Sequence, residues 1–138
     1  MDLTKLVIRA AKKGDVIAIG KLLDSDPTLI DARDDDGSTL LHCAAWKGQD
    51  AAAALLLKRG ASVTAENDND HYGGTPLHAA AHANNKTIAA MLLEHGADPS
   101  ALSRLGRTPL DETTIHNASA VARLLKDRLA AVREADQD

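Results

Sequence analysis

Gly74-Thr75-Pro76-Leu77-His78-Ala79-Ala80 is the stretch of sequence that decides the fold, because related stretches recur along the chain. The copies begin at Thr39, Thr75 and Thr108, so the steps between them are 36 and 33 residues. A short apolar cluster begins sixteen residues after each threonine, and each cluster contains at least two consecutive leucines. Self-similarity at a near-constant period is the signature of a protein built from stacked copies of one supersecondary unit.

The local chemistry of each copy predicts two helices joined by a tight turn. Thr75 and Thr108 suit the N-cap position, because a hydroxyl accepts a hydrogen bond from a helix N–H that lacks a partner. The prolines that follow fit the first helical position, where no N–H is needed. Nine residues past each threonine stands a residue type that tolerates the left-handed backbone of a helix end. These residues are Gly48, Asn84 and Asn117, and the second helices are predicted to end at Gly60 and Gly96 by the same means.

This pattern closely resembles the ankyrin-repeat family, whose units carry a G-x-T-P-L-H-x-A-A signature and a later L-L-x-x-G-A. The second full copy matches both motifs, whereas the first has Leu40 in place of proline. The resemblance implies an all-α solenoid of about four stacked helix-turn-helix units with extended fingertip loops. It implies one domain over residues 1–134, followed by a frayed tail at 135–138. The expected units are about 1–33, 34–66, 67–102 and 103–134.

The two end units depart from the pattern. Residues 1–33 form a degenerate first copy, and the last copy has Asp111 where histidine is expected and Thr113-Thr114 where the alanine pair is expected. Terminal repeats need a polar outer face for solubility, so we interpret these as capping units.

Composition narrows the possible functions. A chain of 138 residues with 26% charged residues and a net charge of −4 fits a folded domain and argues against nucleic-acid binding, which depends on basic side chains. Basic residues interrupt the start of the chain, and the longest apolar run, 51–57, is too short to span a bilayer. The single cysteine, Cys43, is expected to be buried in a helix, which favours a reducing compartment. We therefore expect a cytoplasmic monomer without membrane partners.

The histidines admit a structural and a metal-binding interpretation. In the family that this chain resembles, the histidine at the repeat position of His42 and His78 forms hydrogen bonds with backbone groups and connects neighbouring loops. His78 and His82 stand four residues apart on a predicted helix, a spacing that lets two imidazoles share Zn²⁺, and His116 could approach the same face. No carboxylate stands at a convincing spacing, so we expect neither a metal nor another cofactor.

The resemblance also predicts where a partner binds: on the fingertips and on the exposed, concave face of the first helices. The first, second and third fingertips are, in order, Asp35, Asp36 and Ser38; His71, Tyr72 and Gly74; and Arg104, Leu105 and Arg107. The chain is thus expected to be a protein–protein interaction scaffold without catalytic residues. The alternatives are a regulatory subunit of an enzyme complex and, less favoured, a metal- or small-molecule-binding protein that uses the histidine face. Asp34-Asp35-Asp36 is expected to be a solvated turn, and Trp46 to be an exposed aromatic anchor. The predicted partner-binding residues are Trp46, Lys47, His71, Tyr72, His82, Arg104, Arg107, Ile115 and His116.

The second fingertip is three residues longer than its counterparts, and the extra residues lie within 66–72. Insertions of this kind map to loops, often on the binding side, although a harmless insertion fits the sequence nearly as well.

Overall fold

The computed structural model describes residues 2–69 and 73–136. Within them the chain forms eight α-helices arranged as four consecutive pairs, with a short 3₁₀-helix after the first pair. The pairs are α1 (Leu3–Lys13) with α2 (Val16–Ser25), α3 (Leu40–Lys47) with α4 (Asp50–Lys58), α5 (Pro76–His82) with α6 (Lys86–Glu94), and α7 (Pro109–Ile115) with α8 (Ser119–Asp136). The 3₁₀-helix covers Pro27–Asp31. The predicted all-α architecture is confirmed.

The helices form two layers. The first helices of the pairs lie side by side in the order α1, α3, α5, α7, and the second helices follow the order α2, α4, α6, α8 in the other layer. Small side chains fill the centre of the first layer, where Ala44-Ala45 and Ala79-Ala80-Ala81 are buried completely. Alanine has the best helix propensity and takes little room, so the first helices of adjacent units can pack closely.

The predicted N-caps and the predicted left-handed residues at helix ends are all present. The hydroxyls of Thr39, Thr75 and Thr108 accept hydrogen bonds from the backbone N–H three residues on. The residues nine positions further have left-handed backbones, with φ of 71° at Gly48, 53° at Asn84 and 55° at Asn117. Gly60 and Gly96, at the ends of the second helices, have φ of 88° and 92°. The repeat therefore fixes the direction of the chain through backbone capping as well as through apolar packing.

Two features lie outside the sequence-based description. The 3₁₀-helix begins at Pro27, where the Asp26 carboxylate accepts a hydrogen bond from the Thr28 N–H at 3.1 Å. Helix α8 continues to Asp136, past the domain boundary drawn at residue 134. Among the helices of the described ranges, none has a stretch both long and apolar enough to cross a membrane.

Candidate functional site

Three rings form a continuous row across the first helices of three units. The Trp46 ring stacks on the His82 ring with 4.4 Å between centroids and 24° between planes. The His82 ring in turn lies 3.8 Å from the His116 ring, tilted by 51°. Trp46 and His82 occupy the same position of adjacent units, seven residues past the capping threonine, so the packing of α3 against α5 brings them together.

The row corrects one expectation from the sequence. Trp46 is half-buried and packs against the core, because His82 covers part of its ring, whereas the sequence predicted an exposed side chain. Lys47 beside it is exposed, and Ile115 at the far end of the row keeps 52% of its surface accessible. These five residues, Trp46, Lys47, His82, Ile115 and His116, are called the first-helix face below.

The arginines of the third fingertip are held by polar contacts. Arg104 Nη1 donates to the Asp68 carbonyl at 3.2 Å, which links the third fingertip to the second. Arg107 Nη1 lies 3.7 Å from Glu112 Oε1. The other two predicted contact residues, His71 and Tyr72, lie outside the described residues.

Glu112 is a buried carboxylate that the sequence reasoning missed. Its side chain has no exposed surface, and within the described ranges neither of its oxygens has a hydrogen-bond partner. Arg107 and His116 approach it at 3.7 and 3.5 Å. Burial raises the pKa of Glu112, and the two neighbouring basic groups oppose that rise. The signal was available, since the repeat register aligns Glu112 with Cys43 and Ala79, two small buried residues.

His42 and His78 have the structural role implied by the resemblance. The Thr39 N–H donates to His42 Nδ1 at 3.1 Å, so the proton is on Nε2, which donates to the Gly74 carbonyl at 2.7 Å. His78 repeats this arrangement with the Thr75 N–H and the Arg107 carbonyl. Each imidazole therefore caps its own helix and holds the loop of the next unit.

The metal-binding interpretation loses His78 as a ligand, because both of its ring nitrogens are engaged. Over residues 2–69 and 73–136 no group of three or more His, Cys, Asp or Glu side chains is placed to hold a metal ion. His82 and His116 lie close together, but their rings pack against each other at a tilt and continue the row from Trp46.

The acidic turn before α3 is more ordered than a solvated turn. Asp36 Oδ1 accepts from the Ser38 N–H at 3.0 Å, and Oδ2 accepts from Asn69 Nδ2 at 2.9 Å, which joins the first fingertip to the second. Burial opposes ionisation, but hydrogen bonds with Asp34, Ser38 and Asn69 outweigh it and hold the pKa of Asp36 well below its ordinary value. Asp34 and Asp36 are half-buried, so the expectation of full solvation is wrong for both.

Cys43 lies beneath this turn and is buried in α3, as predicted. Burial raises the pKa of the Cys43 thiol to about 12, so it is protonated at neutral pH and is not a nucleophile.

Comparison with known proteins agrees with the geometry. A family model described as ankyrin repeats in three copies matches residues 63–136, and a single ankyrin-repeat model matches residues 36–68. The chain is 42% identical over 64 residues to the serine/threonine-protein kinase VIK of Arabidopsis thaliana, covering 46% of this chain and 15% of that protein. It is 39% identical over 69 residues to human oxysterol-binding protein-related protein 1, covering 49% of this chain and 7% of that protein. The chain thus spans a small part of the length of both relatives.

Proposed function

Because the chain belongs to the ankyrin-repeat family, we propose that it is a protein-interaction module, without catalysis of its own, that binds its partner through the first-helix face and the adjacent fingertips. The observation that carries the proposal is the row of rings from Trp46 through His82 to His116, which ends beside the exposed Ile115. Aromatic side chains contribute much of the binding energy at protein interfaces when they stand among less critical contacts.

The distribution of polar contacts supports the same surface. Arg104 and Arg107 are fastened to the second fingertip and to Glu112, so the third fingertip is ordered before a partner arrives. Order before binding lowers the entropy lost on association, which strengthens the binding of a partner. We further propose a cytoplasmic location, where the buried Cys43 thiol would stay reduced.

Affinity capture with matched variants tests the proposal. The face variant carries Trp46→Ala and Ile115→Ser, and the control variant carries Ile17→Ser and His95→Ala. Ile17 is 69% exposed on α2 and His95 is exposed after α6, so the control removes an isoleucine and a ring from the other layer. We expect mass spectrometry to identify partners that the wild type and the control variant retain and the face variant loses.

Circular dichroism melting checks that the face variant is folded before capture. Equal recovery of every partner by both variants would remove the first-helix face as the binding surface. The regulatory-subunit alternative is the case in which the captured partner is an enzyme, and an assay of that enzyme with and without the chain identifies it.

A further inference from the structure

A groove of about 760 Å³ lies between α1, the first fingertip and the end of α3. Basic side chains outnumber acidic ones along its walls, although the chain as a whole has a net charge of −4. The basic lining residues are Lys5, Arg9, Lys12, Lys13, Arg33 and Lys47. The charge of the groove is therefore opposite to that of the protein.

Two of the six cations already have partners. Lys12 Nζ lies 3.7 Å from Asp34 Oδ2, and Arg33 Nη1 donates to the carbonyls of Gly37 and Glu66 at 2.8 Å each. The other four are exposed and form no ion pair with any described residue. These four groove cations are Lys5, Arg9, Lys13 and Lys47.

The carboxylates that line the groove are mostly engaged. Asp2 caps α1 by accepting from the Thr4 N–H at 3.0 Å, and Asp34 accepts from the backbone of its own turn while pairing with Lys12. Asp35 is exposed. A ligand in the groove would thus meet four cations and one exposed carboxylate, Asp35, that forms no such contact with any described residue.

The groove continues to the ring row. Lys12, Asp34 and Lys47 also line a second, smaller cavity of about 190 Å³, and Trp46 is another of its lining residues. A single extended segment could therefore contact the groove cations and the aromatic edge together.

From this arrangement we propose that the partner docks an acidic peptide segment in the groove, with carboxylates near the four groove cations and an apolar side chain against Trp46. This inference rests on the proposed function, since it names the chemistry of the partner at one end of the same face. A nucleic acid or an anionic membrane fits less well, because phosphates at regular spacing would meet Asp2, Asp34 and Asp35, whereas a peptide can place its charges selectively.

Selection from a random-sequence peptide library displayed on phage tests the inference with the full chain as bait. We expect the enriched peptides to be rich in Asp and Glu and to carry an apolar or aromatic residue. Binding of the best synthetic peptide, followed by fluorescence anisotropy, should weaken as salt is raised from low to physiological concentration.

Charge-neutralised variants locate the binding. The groove variant carries Lys5→Gln, Arg9→Gln, Lys13→Gln and Lys47→Gln. The control carries Lys58→Gln, Lys86→Gln, Arg123→Gln and Lys126→Gln, four exposed residues of the second layer, and has the same net charge. The groove set removes two cations from the last turns of helices, Lys13 and Lys47, and the control set removes one, Lys58. We expect the groove variant to bind the peptide about tenfold more weakly or worse, and the control variant to bind it like the wild type.

The inference is overturned by a selection without acidic enrichment, by equal weakening in both variants, or by tighter binding of a single-stranded oligonucleotide or of phosphatidylserine vesicles than of the peptide. Peptide binding that survives in the groove variant but is lost with Trp46→Ala and Ile115→Ser would overturn the acidic-segment inference and leave the proposed function standing. Loss of protein partners in the groove variant during affinity capture would support both.

Discussion

At the scale of single residues, two buried imidazoles connect neighbouring units through hydrogen bonds. His42 accepts from the backbone of its own cap and donates across to Gly74, 32 residues away in sequence. The contact requires a neutral ring, since a protonated Nδ1 could not accept from the Thr39 N–H. Burial lowers the pKa of His42 to about 4, against the hydrogen bond to Gly74, which raises it.

The stability of the fold should therefore fall in acid through His42. A histidine whose pKa is lower in the folded state stabilises fully above its unfolded value of 6.5, and that contribution is lost as pH falls through about 4. The shift corresponds to roughly 3 kcal/mol in the free energy of unfolding between pH 7 and the low-pH limit. Urea unfolding of the wild type and of His42→Gln, at several pH values from 7 to below 4, should show the difference between them shrinking as pH falls.

Carboxylates that titrate in the same range are common to both proteins, so the difference isolates His42. A difference that stays constant with pH would mean that the imidazole does not couple the cap to the next loop through its neutral form.

At the scale of elements, the turn between the two helices of a unit depends on one left-handed residue. Gly48 fills that position in the second unit, whereas Asn84 and Asn117 fill it in the third and fourth. Asparagine tolerates this backbone better than other residues with a side chain, but less well than glycine.

Substitution at Asn117, which is exposed, separates backbone conformation from side-chain contact. Asn117→Ala should lower the free energy of unfolding by about 1 kcal/mol, because alanine has a steric penalty at a φ of 55°. The free energy of unfolding of Asn117→Gly should match or exceed that of the wild type, because glycine has no such penalty. Urea unfolding followed by circular dichroism measures both, and an alanine variant as stable as the glycine variant would contradict the explanation.

The same scale explains how far the sequence could predict the structure. Caps and turns follow from local rules that each copy repeats, so the sequence alone was enough to place Thr75 and Asn84, whereas the role of His78 was implied by the family resemblance. Contacts between equivalent positions of adjacent units follow from packing, which the repeat pattern implies only in outline. The stacking of Trp46 on His82 and the link from Asp36 to Asn69 therefore became visible only in the structure.

At the scale of the whole molecule, the units of the stack differ at one buried position. The same buried position holds Cys43 in the second unit, Ala79 in the third and the carboxylate of Glu112 in the fourth. The stability of a repeat protein is approximately the sum of the stabilities of its units and of the interface energies between neighbouring units. A destabilising side chain at one interface therefore lowers the stability of one end of the stack. A buried carboxylate without hydrogen bonds carries a large desolvation cost, and contacts at 3.5 and 3.7 Å offset it incompletely.

Glu112→Ala should consequently stabilise the last unit by about 1 kcal/mol at pH 7, because Arg107 and His116 are partly exposed and can be hydrated once the carboxylate is gone. Hydrogen exchange should show the amides of α7 exchanging faster than those of α3 and α5 in the wild type, and more slowly in the variant. The gain should disappear below pH 4.5, since a carboxyl whose pKa is raised by folding destabilises only when ionised. Glu94→Ala, at an exposed acidic residue of α6, supplies the control for net charge. A variant less stable than the wild type at pH 7 would mean that the contacts of Glu112 with Arg107 and His116 outweigh its desolvation cost.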